Sequence, residues 1–131
     1  MAQIHVSIVT PETTTFDSDA ESVVVPMLDG ERGILANHAP MIGRLGPGEM
    51  RVTTGGNTER FYVDGGFVQI ANNAVSVLTG NSIPAAEIDL AKAREDLEKA
   101  KSQTADKPEL VELKNRAIAQ ATAQIRMAEN S

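Results

Sequence analysis

The side chains able to do chemistry are few and scattered. The chain has no cysteine, which excludes thiolate metal sites, cysteine nucleophiles and a disulfide framework. Its two histidines, His5 and His38, are widely separated and make no metal site. No phosphate-cradling G-x-x-x-x-G-K-[ST] loop is present, and no serine sits in a nucleophile context. The densest cluster is Gly30-Glu31-Arg32-Gly33-Ile34-Leu35-Ala36-Asn37-His38-Ala39-Pro40, continued by Leu45-Gly46-Pro47-Gly48. Its glycines and prolines predict a shaped loop, with the Glu31–Arg32 pair at the tip and His38 held beside Pro40. Chemistry alone leaves this loop open between a rigid docking element and a β connection with a hydrogen-bonded histidine. A further reading makes Asp64 or Glu31 the acid of an enzyme. His5 reads as an ordinary strand residue.

The elements that must position these residues differ between the two parts of the chain. In residues 1–84, apolar side chains alternate with polar ones: Ile4, Val6 and Ile8; Met50 and Val52; Phe61 and Val63; Val75 and Val77. Period two with β-branched enrichment is the strand signal. Gly55-Gly56-Asn57, Gly65-Gly66 and Asn72-Asn73 tolerate positive φ and predict tight hairpins. Many short strands at close spacing argue for a sandwich or flattened barrel. Residues 85–131 lack glycine and are rich in Ala, Glu, Lys and Leu, which are good helix formers. One helix is predicted from Ala86 to about Ser102. A second runs to about Ala128, opened by Asp106 as N-cap with Pro108 in the first turn. The short break between them favours an antiparallel hairpin. Its apolar stripe is Leu90, Ala93, Leu97 and Ala100 on one helix, and Leu110, Leu113, Ala117, Ala121, Ile125 and Ala128 on the other. Alanine buries little area, so such a hairpin is marginal alone and can detach. The predicted class is α+β: an N-terminal β-sandwich over 1–84, then a two-helix hairpin over 85–131.

Charge narrows the partners. The net charge is −6, against the basic surface of a general nucleic-acid binder. Residues 1–84 carry 4 basic and 9 acidic side chains, and residues 85–131 carry 8 and 9. The C-terminal part is therefore dense in charge and mixed in sign, like an exposed helical pair. The opening MAQIHVSIV lacks the basic and apolar regions of a signal peptide. Apolar runs fall short of a membrane span, so work at a membrane would go through a partner.

Five motifs in register now resemble one family. GERGILANHAP is similar to the G-E-x-G-I-x-x-x-H-A-P signature of the F-type ATP synthase epsilon subunit. Ile8-Val9-Thr10-Pro11-Glu12 with Phe16, Gly48-Glu49-Met50-Arg51-Val52, Tyr62 through Ile70, and Val75–Leu78 match further family patterns in the same order. The resemblance implies an N-terminal β-sandwich and a C-terminal helical hairpin. It implies a non-catalytic central-stalk subunit of a proton-translocating ATP synthase, without cofactor, peripheral at the cytoplasmic face of a bacterial membrane. The sandwich would bind the gamma subunit and the c-ring, with Glu31, Arg32 and His38 in the docking region. The alternative is a stand-alone sandwich module with a helical tail.

The resemblance also implies that the hairpin can extend into the alpha/beta catalytic hexamer and block hydrolysis. Lys92, Arg94, Lys99, Arg116 and Arg126 are its candidate contacts to the beta subunit. Taken one by one, the same residues read first as a solvated face with i,i+4 pairs such as Glu95–Lys99 and Glu112–Arg116. Ile88-Asp89-Leu90-Ala91-Lys92-Ala93 is similar to an I-D-x-x-R-A nucleotide motif, except that Lys92 replaces the arginine. Lysine lacks arginine's planar fork, so the implied ATP binding is weak or absent. Asp89 reads otherwise as an acid favoured in the first helical turn.

Overall fold

A computed structural model describes residues 3–129. The chain divides into two compact units at the Pro84–Ala85 bond. In the first, the alternating segments form eight strands: β1 (Ile4–Val9), β2 (Thr14–Ala20), β3 (Ser22–Met27), β4 (Gly30–Leu35), β5 (Met41–Thr54), β6 (Asn57–Ala71), β7 (Ala74–Leu78) and β8 (Ser82–Pro84). The hydrogen-bonded order is β2-β1-β7-β6-β5-β3-β4, with β8 on β6. The β1–β7 pair is parallel and the other pairs are antiparallel.

The long β5–β6 ribbon serves both layers of the sandwich. Its first half, Met41–Leu45 against Gly66–Ile70, continues into β7, β1 and β2. Its second half, Gly48–Thr53 against Thr58–Val63, continues into β3 and β4 on one side and β8 on the other. The inward-facing positions switch parity at the junction. Leu45 is buried before it, Met50 and Val52 after it; Phe61 and Val63 are buried before it, Val68 and Ile70 after it. Gly65 and Gly66 both have positive φ there, and an added Cβ at Gly66 would overlap the Leu78 carbonyl oxygen. Gly65-Gly66 is thus a bend inside β6 and not the hairpin turn that its composition predicts. Gly55-Gly56 and Asn72-Asn73 do turn hairpins, all four at positive φ.

One apolar cluster fills the space between the layers. Ile4, Val6 and Ile8 of β1 share it with Val23, Val25, Ile34, Met50, Val52, Val63, Val68, Val75 and Val77. These residues are buried by the alternation of the strands. Branched aliphatics dominate because rings are scarce, and Phe16 packs edge-on to Phe61 at 5.1 Å. Tyr62 is fully buried and donates its hydroxyl to Asp64 at 2.7 Å, which satisfies a phenol that burial would otherwise penalise.

The second unit opens with a 3₁₀ turn at Ala85–Glu87, followed by α1 (Leu90–Ser102) and α2 (Pro108–Glu129). The first helix therefore starts later than Ala86. Asp89 caps it, accepting the Lys92 backbone N–H at 3.1 Å. Pro108 occupies the first position of α2. The first intrahelical bonds go to the Lys107 carbonyl, so the N-cap falls on Lys107 and not on Asp106. Ala93, Ala100 and Ala121 are buried, whereas Leu110 and Leu113 are exposed. The cause is helix length. At 1.5 Å per residue, the 22 residues of α2 outrun the 13 of α1. The end of α1 lies beside the middle of α2, where Lys99, Ala100, Gln103, Ala117, Ala121 and Gln124 line a shared groove. The first turns of α2 consequently project past α1.

Candidate functional site: docking surfaces

Gly30 to Leu35 is a strand and not a loop, because its residues pair in register with Met27 back to Ser22. Glu31 and Arg32 lie at its start, next to the β3–β4 turn, and His38 lies beyond its far end. Three strand residues, Gly33–Leu35, at about 3.3 Å each and then Ala36 and Asn37 lie between Arg32 and His38, so the three residues predicted as one docking loop fall at opposite ends of β4. Successive strand residues face opposite sides, and Glu31 and Arg32 therefore diverge. His38 Nδ1 is 2.7 Å from the Ala39 carbonyl oxygen, as a donor in that tautomer. Beside it, Asn37 has φ 68° and donates its N–H to the Asn73 side chain at 2.6 Å. That bond ties the β4–β5 turn to the β6–β7 turn.

Glu31 is the outer end of a four-charge ladder. Arg51 of β5 forks onto it, with Nη1 to Oε2 at 2.8 Å and Nη2 to Oε1 at 3.2 Å. Arg51 Nη1 also donates to Glu49 at 3.1 Å. Arg60 of β6 closes the ladder on Glu49 through Nη2 at 2.7 Å and Nε at 3.1 Å. The fork raises the Arg51 pKa against the pull of burial, with Glu49 adding to the rise. Burial pushes Glu49 upward, but the bonds from Arg60 and Arg51 outweigh it and hold that carboxyl below its ordinary value. Asp64 is likewise engaged, taking the Tyr62 hydroxyl while its own N–H donates to Thr79. Both candidate acids are thus tied into the scaffold.

The outward face of the other layer carries a feature the sequence reading passed over. Register aligns Arg44, Phe67, Leu78 and Val9 in one row across β5, β6, β7 and β1. Ile42 is next along β5 on the same face. Ile42 is 72% exposed, Phe67 49% and Leu78 45%. Val9, Leu78 and Phe67 thus stand side by side on an outward face, with Arg44 at the end of their row. Its signal was present in Phe67-Val68, where two adjacent apolar residues must face opposite sides of a strand.

His5 stands further along that layer. Its Nδ1 is 2.9 Å from Asp19 and its Nε2 also contacts Asp17, both on β2. Hydrogen bonds donated to Asp19 and then Asp17 raise its pKa. Each ring nitrogen faces a different carboxylate, so His5 staples an edge strand and is more than an ordinary strand residue.

In the hairpin, Lys99 pairs with Glu95 at 3.3 Å, Lys92 with Asp96 at 3.8 Å and Arg94 with Glu129 at 3.8 Å. Among the described residues no ion pair reaches Arg116 or Arg126, and the Glu112–Arg116 pair does not form. Asp89, the anchor of the nucleotide-like motif, is occupied as the α1 cap.

Residues 3–85 match the domain described as ATP synthase, Delta/Epsilon chain, beta-sandwich domain. The chain is 42% identical to the ATP synthase epsilon chain of Rhodopirellula baltica over 94% of this chain and 96% of that one. The chain belongs to the ATP synthase epsilon chain family. Its relatives include the sodium ion specific epsilon chain of Propionigenium modestum, at 31% identity over 98% of this chain and 96% of that one. The fold agrees with a chain of the Euglena gracilis mitochondrial ATP synthase, with a TM-score of 0.85 over 100% of this chain and 83% of that chain, at 22% identity. It also agrees with a chain of the Tetrahymena thermophila mitochondrial central stalk and c-ring, with a TM-score of 0.76 over 97% of both chains, at 13% identity. The likeness to these two is one of fold. No helix among the described residues is long and apolar enough to cross a membrane.

Proposed function

We propose that the chain is a non-catalytic central-stalk subunit of an F-type ATP synthase, docking through its sandwich and restraining ATP hydrolysis through its hairpin. The observation that carries the docking reading is the row of Val9, Leu78 and Phe67 with Ile42. Such a face stays soluble when a partner covers it, and we assign the gamma subunit as that partner. The corner at Glu31 and Arg32 is assigned to the c-ring, in line with the family signature on those residues. The ties on Asp64 and Glu31 favour this reading over an enzyme.

The inhibitory role rests on the hairpin. Its interhelical contact is built largely of alanine, and Arg116 and Arg126 are available to an acidic partner in the alpha/beta hexamer. The hairpin gives weak or no ATP binding, since Asp89 is engaged as a cap and Lys92 lacks a fork. The subunit sits peripherally at the cytoplasmic face of a bacterial membrane, held by its partners.

The test compares complexes rebuilt with the full chain and with a chain ending at Pro84. Both should assemble with gamma, and the shortened one should hydrolyse ATP faster. Equal rates would remove the inhibitory role. Loss of gamma binding on truncation would make the hairpin part of the anchor.

A further inference from the structure

We infer that Arg51 is a positioning residue for docking: its fork fixes the Glu31 carboxylate so that its remaining lone pairs meet a cationic or N–H donor on the partner. The inference rests on the docking reading of this corner. A carboxylate offers about four acceptor sites, and Arg51 takes two of them, one on each oxygen. The Glu31 side chain is still 54% exposed. Glu31 is therefore both held and presented, a combination that a free glutamate at a strand end lacks. Arg51 is braced in turn, because Glu49 engages it and Arg60 engages Glu49. The ladder alternates in sign and sums to zero charge, so it contributes geometry more than field. A partner carboxylate would be repelled by Glu31, which leaves a guanidinium, an ammonium or a backbone N–H as the group that fits.

Position and charge predict opposite signs for one substitution. If raw charge drove the contact, Arg51→Gln would leave Glu31 more negative and tighten binding to a cation. If the fork matters, Arg51→Gln frees a rotamer-rich side chain that docking must then immobilise. That cost corresponds to roughly a three- to tenfold loss in affinity. Arg51→Lys keeps the charge, loses the fork and should weaken binding by a similar factor.

The experiment titrates labelled full-length chain against detergent-solubilised ATP synthase stripped of this subunit, with thermal melts confirming that each variant is folded. Expected are weaker binding for Glu31→Gln, Arg51→Gln and Arg51→Lys, and a Glu31→Gln/Arg51→Gln double variant no worse than Glu31→Gln. Arg51→Gln and Arg51→Lys should bind isolated gamma as the native chain does, which a general loss of structure would not allow. Weakened Glu31→Gln beside unchanged or tighter Arg51→Gln overturns the positioning role and keeps the corner as a contact. Unchanged Glu31→Gln removes the corner from the interface, and this inference with it.

Discussion

Ile42→Thr tests the apolar face with little disturbance to the fold. Threonine keeps the β-branched preference for a strand and removes the ethyl arm. That arm is roughly two methylenes, at about 0.8 kcal/mol each when buried. Ile42 is 72% exposed in the free chain, so about three-quarters of this, near 1.2 kcal/mol, is available only on docking. The corresponding loss in gamma affinity is about sevenfold, and burying the new hydroxyl without a partner adds to it. The remaining share, about 0.4 kcal/mol, is lost from folding and lowers Tm by roughly 2–3 °C. Isothermal titration of gamma with each chain, beside thermal melts, reads both quantities. Leu35→Thr is the control: Leu35 is 64% exposed but lies on β4, in the other layer, and gamma affinity should stay within about twofold. An Ile42→Thr chain that melts as expected and binds gamma unchanged would refute the assignment of this face.

Three further outcomes follow from the geometry. Gly66→Ala should cost more than about 3 kcal/mol in urea melts, because strain at positive φ adds to overlap with backbone, whereas Gly65→Ala should show the strain alone, about 1–3 kcal/mol. The His5 pKa is raised from its ordinary 6.5, so the stabilisation by its staple is full below that value and fades as pH rises through the folded-state pKa. The Tm advantage of the native chain over His5→Gln should accordingly shrink as pH rises above the ordinary histidine range, and an advantage that grows with pH would be the wrong sign. Titration of ATP into the native chain should show at most weak binding. Lys92→Arg should bind about ten- to a hundredfold tighter if the missing fork is the cause, and a micromolar Kd for the native chain contradicts this.

Legibility in the sequence followed the range of each interaction. The alternation of Ile4, Val6 and Ile8 or of Val75 and Val77 is local, and those strands stand where it puts them. The helices were legible for the same reason. At Gly65-Gly66 composition cannot separate a turn from a bend within a strand; the Leu78 carbonyl that demands Gly66 belongs to another strand. Gly30–Leu35 looked like a loop because two glycines and two charges hide an alternation with one inward residue, Ile34. Leu110 and Leu113 sit at sound helical spacing, but which turns of α2 find α1 depends on the loop between them. The Glu31–Arg51–Glu49–Arg60 ladder and the clamp on His5 join residues on different strands, some twenty positions apart in one case. Such pairings are set by register, which residue types alone do not declare.

The parallel pairing of β1 with β7 bears on how the molecule is made. Roughly seventy residues separate His5 from its partner Ala74, and contacts of such separation are slow to form. During synthesis β1 and β2 can pair early, but the layer stays open at the other edge of β1 until β7 emerges. A β-sandwich folds in milliseconds to seconds. The layer thus closes as one event, when β7 becomes available to β1 and brings the two ends of the sandwich sequence side by side.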